Sequence, residues 1–415
     1  MENTPSSRRH FLKQFSFATA ALAGYHPLAA MCGSRPAGLS GQIYGISSKQ
    51  LSPAQNQKGN GSTLIHLDLN KGFTRYHLLP DYHSGHSLIE IDPDNFYCTP
   101  YSGKQPSPCL FLDSAFNITA RIDAPEGFAF GGHSALLPDG KTIFGCFNPT
   151  NRFKQNTGIA YLVDTATKKL VKTFNTPLLH AHDMIVSIDQ QHIIVSDDGT
   201  VEGPIDSNSP FSEIIQDPAV YFFNCNTLEI DKKVQHGHNG SFVHIDQDQD
   251  GSIYGAIEQF IYADAKPELY LEPLLHEKTA AYIASYNKGG EIPLPSPMVR
   301  ISASDKRAES ISAQLEYHTN PFDIKFNTNS GYLVNVFVDS NTLVRYNPRN
   351  GKSDYFSTTD YGISKPFGLA NLGNTSLMAL SGFDRGIAVF DTNDMSYVTC
   401  FSQENHGLRH MIFKA

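Results

Sequence analysis

The chain has 415 residues and a formal net charge of -9, with no run of basic residues beyond its N-terminal segment. This charge argues against nucleic acid or an anionic membrane surface as a partner, and no internal apolar stretch is long enough to cross a bilayer. The many glycines, prolines and aromatic residues suit numerous turns and half-buried strands, so we expect a β-rich protein.

The first 30 residues have the pattern of a bacterial twin-arginine export signal. Arg8 and Arg9 are followed by a mildly apolar stretch at residues 15–23 and by the small residues Ala29 and Ala30. The alternative is a chance arginine pair before a short amphipathic helix. The pattern predicts a signal peptide at residues 1–30, a mature domain at residues 31–415 and a periplasmic location.

Cysteine usage limits the chemistry of the mature protein. Cys32 follows the predicted signal, but Met31 stands where a lipoprotein signal has a small residue, which disfavours lipid anchoring. Cys98 and Cys109 flank a turn-rich loop, and both a disulfide across that hairpin and two reduced, buried thiols fit the sequence. The chain has no Cys-x-x-Cys motif, which argues against c-type haem and thiol redox chemistry.

Seven segments with the pattern of an inner propeller strand recur along the chain, at spacings of roughly 40 to 75 residues. They lie at 85–89, 132–133, 181–185, 242–245, 322–326, 367–370 and 408–412. A four-stranded unit that follows such a segment is too small to bury its own face, so the repeat predicts one all-β, seven-bladed propeller.

The seventh segment ends the chain and has no strands after it. Three alternating, β-rich runs at 40–47, 63–69 and 73–79 precede the first segment and can supply the missing strands. Pairing them with the C-terminal inner strand at 406–413 would close the ring and remove its exposed sheet edges. The loops at 148–157, 197–218 and 258–297 are long, and the propeller topology places all three on one face, where binding sites usually lie.

Histidines recur at the start of the inner strands, on the face that carries the long loops. Equivalent positions around a propeller axis form a ring, so we expect convergence at the channel mouth of His86, His133, His182, His244 and His410. Because histidine is neither a strong strand former nor a typical core residue, this enrichment indicates a site for a transition metal such as iron, copper or zinc. Neighbouring candidates to contact the rings or a ligand are His83, His180, His238, Asp183, Asp323 and Arg409.

Two other interpretations of the histidine ring stay open. The rings can hydrogen-bond turn carboxylates and hold one blade to the next, or they can serve acid–base catalysis. The ring is also one-sided, because blades 5 and 6 offer Asp323 with Lys325 and Lys365 with Phe367 in place of histidine.

Four motifs resemble a known family. A Gly-His with Pro-Asp-Gly at 132–140, a His-Asp strand with an Asp-Gly loop at 182–199, Pro-Ala-Val-Tyr at 218–221 and Ser-Phe-Val-His at 241–244 are similar to the twin-arginine-exported propellers catalogued as domain of unknown function 1513. Family members are often encoded beside imelysin-like and other iron-uptake proteins. The resemblance therefore implies a periplasmic role in metal handling, with an iron-uptake protein or a small ligand as partner.

Three classes of function fit the sequence. The first is a propeller that binds a metal ion or a metal-containing ligand at the axial histidines. The second is a non-catalytic interaction propeller whose histidines are structural. The third is an oxidoreductase or hydrolase with an axial site, since quinoprotein dehydrogenases, lactonases and four-histidine iron oxygenases use this fold, although fold alone does not give function.

Overall fold

The computed structural model describes residues 39–47, 61–80, 82, 85–101, 107–150, 157–202, 213–215, 218–236, 241–262, 291–294, 296–311, 321–338, 340–382, 385–404 and 408–415. Over these ranges the chain forms a seven-bladed β-propeller, as the repeat predicted. The described residues include one turn of 3-10 helix, at Thr358–Tyr361, and none of them forms an apolar helix of bilayer-spanning length.

Each blade is an antiparallel sheet of four consecutive strands, numbered here from the inner strand outward. Blade 1 comprises β4 (Gly85–Asp92), β5 (Asn95–Pro100), β6 (Cys109–Asp113) and β7 (Ile118–Ile122). Blade 2 comprises β8 (Phe128–Leu136), β9 (Thr142–Pro149), β10 (Gly158–Asp164) and β11 (Lys169–Thr176). Blade 3 comprises β12 (Ala181–Val186), β13 (His192–Asp197), β16 (Ala219–Asn224) and β17 (Ile230–Gln235).

The second half of the ring repeats this plan. Blade 4 comprises β18 (Ser241–Gln247), β19 (Ile253–Tyr262), β21 (Met298–Ile301) and β22 (Ala308–Ser310). Blade 5 comprises β23 (Pro321–Asn327), β24 (Tyr332–Phe337), β25 (Thr342–Asn347) and β26 (Lys352–Ser357). Blade 6 comprises β27 (Pro366–Asn371), β28 (Leu377–Gly382), β29 (Arg385–Asp391) and β30 (Ser396–Glu404).

Blade 7 joins the two ends of the described chain. Its inner strand is β31 (His410–Lys414), and its outer strands are β1 (Gln42–Ser47), β2 (Gly61–Asp68) and β3 (Phe73–Pro80). The pairing of Ile46 with His410 and of Gln42 with Lys414 confirms the predicted closure. Each inner strand contacts the inner strands of both neighbouring blades, so the ring has no open edge around its axis.

The cores lie between the blades, because successive residues of each strand face opposite sides of the sheet. There is one buried apolar cluster at each of the seven blade interfaces. Cys98 faces the interface of blades 7 and 1, whereas Cys109 faces that of blades 1 and 2. The two free thiols thus lie on opposite faces of one sheet, which excludes the disulfide left open by the sequence.

The long connections on the histidine face contain strands that the sequence analysis took for loops. β14 (Thr200–Glu202) pairs with β15 (Glu213–Ile215) in a separate hairpin above blade 3. β19 runs on to Tyr262, where it pairs with β20 (Glu291–Leu294). Both additions extend the face toward which the N-terminal ends of the inner strands point.

Candidate metal centre

A β-bulge at the start of the inner strands brings two successive side chains to the axis. In blade 3 the register moves from Ala181–Asp197 to Met184–Val195, so the inner strand has one residue more than its partner. Blades 4, 5 and 6 have the same irregularity, and blades 1 and 2 have related ones. A bulge interrupts the strict alternation of side chains and re-aims them, as bulges beside functional sites often do.

The strand register defines two equivalent positions in every blade. The ring position is the residue just before regular pairing resumes, and in blades 1 to 7 it is occupied by His86, His133, Asp183, His244, Asp323, Gly368 and His410. The preceding position is one residue earlier, and it is occupied by Gly85, Gly132, His182, Val243, Phe322, Phe367 and Arg409. The sequence analysis treated all five histidines as equivalent, but His182 lies one residue earlier because of the bulge.

Four of the histidines converge on one point. One ring nitrogen from each of four side chains lies within 4.8 Å of the others, and the four are His86, His133, His182 and His244. Three of these rings are buried and that of His133 is half-buried. The ring of His410 packs against the cluster, with its centroid 4.5 Å from those of His133 and His244 and 4.7 Å from that of His86.

The Nε2 atoms of all five histidines are buried and have no hydrogen-bond partner among the described residues. A buried polar group without a partner costs roughly 1 to 3 kcal/mol, so five at one place are not explained by packing. A neutral imidazole nitrogen is the commonest metal-ligating atom in proteins. The donor set therefore fits a transition metal ion.

Two carboxylates orient the rings of His133 and His182 from behind. The Nδ1 of His133 lies 3.2 Å from Asp183 Oδ1, and the Nδ1 of His182 lies 3.6 Å from Asp198 Oδ2. A carboxylate behind Nδ1 keeps the proton on that atom and leaves Nε2 free as a ligand. Asp198 also lies 3.2 Å from Nδ1 of His180, whose Nε2 is 3.2 Å from the hydroxyl of Tyr101.

The other rings have different surroundings. The Nδ1 of His86 lies 3.4 Å from Nη1 of Arg409, and neither nitrogen of His244 has a hydrogen-bond partner among the described residues. Tyr101 packs on His86 and His182, with ring centroids 5.2 and 5.0 Å apart. Gly132 adopts φ +97°, and a Cβ there would lie 2.9 Å from the Tyr101 ring and 3.1 Å from that of His86, so only glycine leaves room for both rings.

The residues that hold the blades together at the ring position are aspartates. Asp183 accepts hydrogen bonds from the backbone N–H of Met184 in its own blade and of Ile245 in the next blade. Asp323 does the same with Ile324 and Leu369. The blade-to-blade role that the sequence left open for histidine is thus performed by these two carboxylates, although His133 also reaches Asp183.

The remaining arc of the axis is aromatic and cationic. Phe322 stacks on Phe367 with ring centroids 3.7 Å apart, and it also packs on His244 and His410. Lys325 lies two residues after Asp323 and 3.6 Å from its carboxylate. These residues make the site one-sided, as the sequence indicated.

Burial sets the electrostatics of the cluster. It lowers the pKa of His86, His244 and His410 well below the usual histidine value and lowers that of His133 to about 4, because a charged ring is poorly solvated there. Burial alone would raise the pKa of Asp198, but the two histidine rings beside it hold the value at about 2. The rings are thus neutral and able to bind a metal at physiological pH.

The structure places the other predicted residues as follows. His180, Asp183 and Arg409 contact the cluster or its immediate partners, whereas Asp323 joins blades 5 and 6. His83 and His238 lie outside the described residues, as do Arg8, Arg9 and Cys32. The sequence analysis missed Asp198 and Tyr101, for which the Asp-Asp-Gly turn after β13 and the aromatic residue just past β5 are the available signals.

Comparisons with known proteins bear on the fold. No protein-family model and no curated protein matches the chain. Among solved structures, a hydrazine synthase from Kuenenia stuttgartiensis is similar with a TM-score of 0.51 and 12% identity, over 76% of this chain and 79% of that one. A cobalt-substituted ACO from Synechocystis is similar with a TM-score of 0.55 and 9% identity, over 91% of this chain and 93% of that one. At these identities the likeness is one of fold.

Proposed function

We propose that this chain is an exported propeller that binds a transition metal ion at its axial histidine cluster. The observation that carries the proposal is the convergence of ring nitrogens from His86, His133, His182 and His244 within 4.8 Å, with unpartnered, buried Nε2 atoms. His410 is the candidate fifth ligand, because its ring packs on three of the four.

The ligand set narrows the class of metal. Imidazole suits iron, copper and zinc, whereas calcium and magnesium require oxygen ligands. His133 and His182 are held ready by Asp183 and Asp198, and these two carboxylates also offset the charge of a divalent cation. A bound ion of this kind supplies Lewis acidity or redox chemistry, and the surrounding side chains hold it and shield it from water.

Metal analysis of the folded protein, purified after export in its own host, tests the proposal. We expect about one equivalent of iron, copper or zinc per chain, retained through gel filtration. His182→Ala should lose it, and His77→Ala, in an outer strand of blade 7, should retain it. A wild-type protein that carries no metal, and takes up none when offered each of the three ions, would leave a non-catalytic interaction propeller as the better interpretation.

Periplasmic export and a role in iron or copper handling belong to the same proposal. They are supported by the arginine pair near the N-terminus and by the resemblance to exported propellers of the iron-uptake neighbourhood. Replacing Arg8 and Arg9 together with lysine should leave folded precursor in the cytoplasm, since the twin-arginine pathway reads that pair. Delivery of the double variant to the periplasm at the wild-type level would contradict the export assignment.

A metal-dependent reaction is the second candidate function. Two observations favour it: the cluster offers no carboxylate ligand directly, and it faces the end of the propeller with the hairpin of β14 and β15. One solved structure of similar fold is a cobalt-substituted protein, and another is a hydrazine synthase. Turnover of a redox substrate by the metal-loaded protein, abolished in His182→Ala, would distinguish an enzyme from a carrier.

A further inference from the structure

Arg409 stands beside the histidine cluster without a carboxylate partner. It occupies in blade 7 the preceding position that His182 occupies in blade 3, so it lies at the same level of the axis. Its guanidinium contacts Nδ1 of His86 at 3.4 Å and is near Tyr101, and it forms no ion pair with any residue in the described ranges. Burial lowers the pKa of this guanidinium, which shows that the surroundings disfavour an unpaired positive charge.

The contact with His86 fixes the tautomer of that ring. A guanidinium only donates hydrogen bonds, so Nδ1 of His86 must accept, and the ring proton of the neutral imidazole is then on Nε2. A ring in this form cannot bind a metal through Nε2. To become a ligand, His86 must move its proton to Nδ1, where it opposes the N–H groups of Arg409.

We propose, on the basis of the metal function above, that metal binding releases Arg409 from His86 and that the freed guanidinium then holds an oxyanion ligand of the same site. The inference concerns the chemical class of the molecule that this metal centre takes. Cluster and guanidinium are separated by a single imidazole ring, so one small ligand can engage both.

The shape of the guanidinium indicates a planar or tetrahedral oxyanion. Its N–H groups form a fork that matches two oxygens of a carboxylate or a phosphate, and such charge-assisted pairs are the strong ones. Tyr101 packs on His86 and His182 and lies near Arg409, so its ring borders the space where the anion would lie. The stacked Phe322 and Phe367 bound the opposite arc and offer no charge.

Metal and anion should then bind cooperatively. If the metal raises the affinity for the anion by releasing Arg409, the anion must raise the affinity for the metal by the same factor. The coupling should depend on Arg409, whereas the affinity for metal alone should depend on the histidines.

The test is a cobalt titration of metal-free protein, followed by visible absorption, in chloride, acetate or inorganic phosphate at equal ionic strength. For the wild type we expect acetate or phosphate to tighten cobalt binding at least about tenfold relative to chloride, in line with one charge-assisted pair. In Arg409→Gln this coupling should vanish while cobalt still binds in chloride. Arg409→Lys should restore part of it, and the matched control Arg349→Gln, in an exposed turn of blade 5, should behave as wild type.

The outcomes separate the two proposals. Equal coupling in Arg409→Gln and in the wild type, or cobalt binding by the wild type that neither anion affects, overturns the oxyanion inference alone. If neither anion acts on any variant and the wild type binds no cobalt, the metal function fails and the inference falls with it. The preferred anion, acetate or phosphate, identifies the carboxylate or phosphate class.

Discussion

Blades 3 and 5 carry the same residue at the ring position and different residues just before it. Asp183 and Asp323 each accept one hydrogen bond from their own strand and one from the next blade, so they perform the same structural task. The preceding residue is His182 in blade 3, where it joins the histidine cluster, and Phe322 in blade 5, where it stacks on Phe367. The bulge thus separates two tasks, because one position holds blades together and its neighbour provides the chemistry.

The largest effect should come from removing the chemistry and leaving the blade contact. His182→Ala removes one of four ligands, so we expect metal affinity to fall by more than the roughly 10- to 100-fold that loss of an outer partner costs. The corresponding change in blade 5, Phe322→Leu, should leave the metal stoichiometry unchanged and cost less than about 1.5 kcal/mol of stability. Isothermal titration with zinc and thermal melting measure both quantities. Equal metal loss in the two variants would contradict the distinction.

Acidification should distinguish the histidine arc from the aromatic arc in the metal-free protein. The pKa of His133 is about 4 in the folded state and about 6.5 in an unfolded chain, so the unfolded chain takes up that proton first as the pH falls. Stability should therefore be unaffected above pH 7 and decrease between about pH 6.5 and 4, by on the order of 3 kcal/mol for this ring.

Urea unfolding at several pH values measures this dependence. His133→Gln should flatten the pH profile, because the side chain no longer titrates, and His77→Gln should not. A His133→Gln profile as steep as that of the wild type would show that the burial of this ring does not control acid stability.

Neutralising the two equivalent aspartates should affect stability alike and metal binding differently. Asp183→Asn and Asp323→Asn each turn an acceptor of a backbone N–H into a donor, at a cost of about 1 to 3 kcal/mol. Only Asp183 lies behind a ligand, His133, so only Asp183→Asn should also weaken metal binding, by roughly 10- to 100-fold. Parallel urea unfolding and zinc titration check the pair. A similar loss of zinc affinity in Asp323→Asn would make the effect one of general loosening.

The smallest change tests the space around the rings. Gly132→Ala should weaken metal binding by a few fold and lower the melting temperature, because its Cβ would collide with the rings of Tyr101 and His86 at a positive φ. Gly140→Ala is the matched control, since Gly140 also has a positive φ but nothing lies within 4 Å of its Cβ position. If both variants lose stability but keep wild-type zinc affinity, the crowding at Gly132 does not position His86.

The fold was predictable from the sequence, and part of the candidate site was not. The repeated inner-strand segments and the unpaired C-terminal segment sufficed to predict seven blades and their closure, because a blade must bury its faces against neighbours. The site depends on the bulge, which adds one residue to the inner strand and moves His182 out of register with His133. A sequence pattern does not carry that shift, nor the packing that brings Asp198 behind His182.

The most direct test of the central claim is X-ray absorption at the zinc edge of protein carrying one equivalent of zinc. We predict a first shell of imidazole nitrogens at about 2.0 to 2.1 Å, with the outer-ring scattering of at least three and up to four histidines. His182→Ala should lose one imidazole from that shell, and Phe322→Leu should keep the full set. A first shell made mainly of oxygen, or an imidazole count unchanged in His182→Ala, would contradict the assignment of the axial histidines as a metal site.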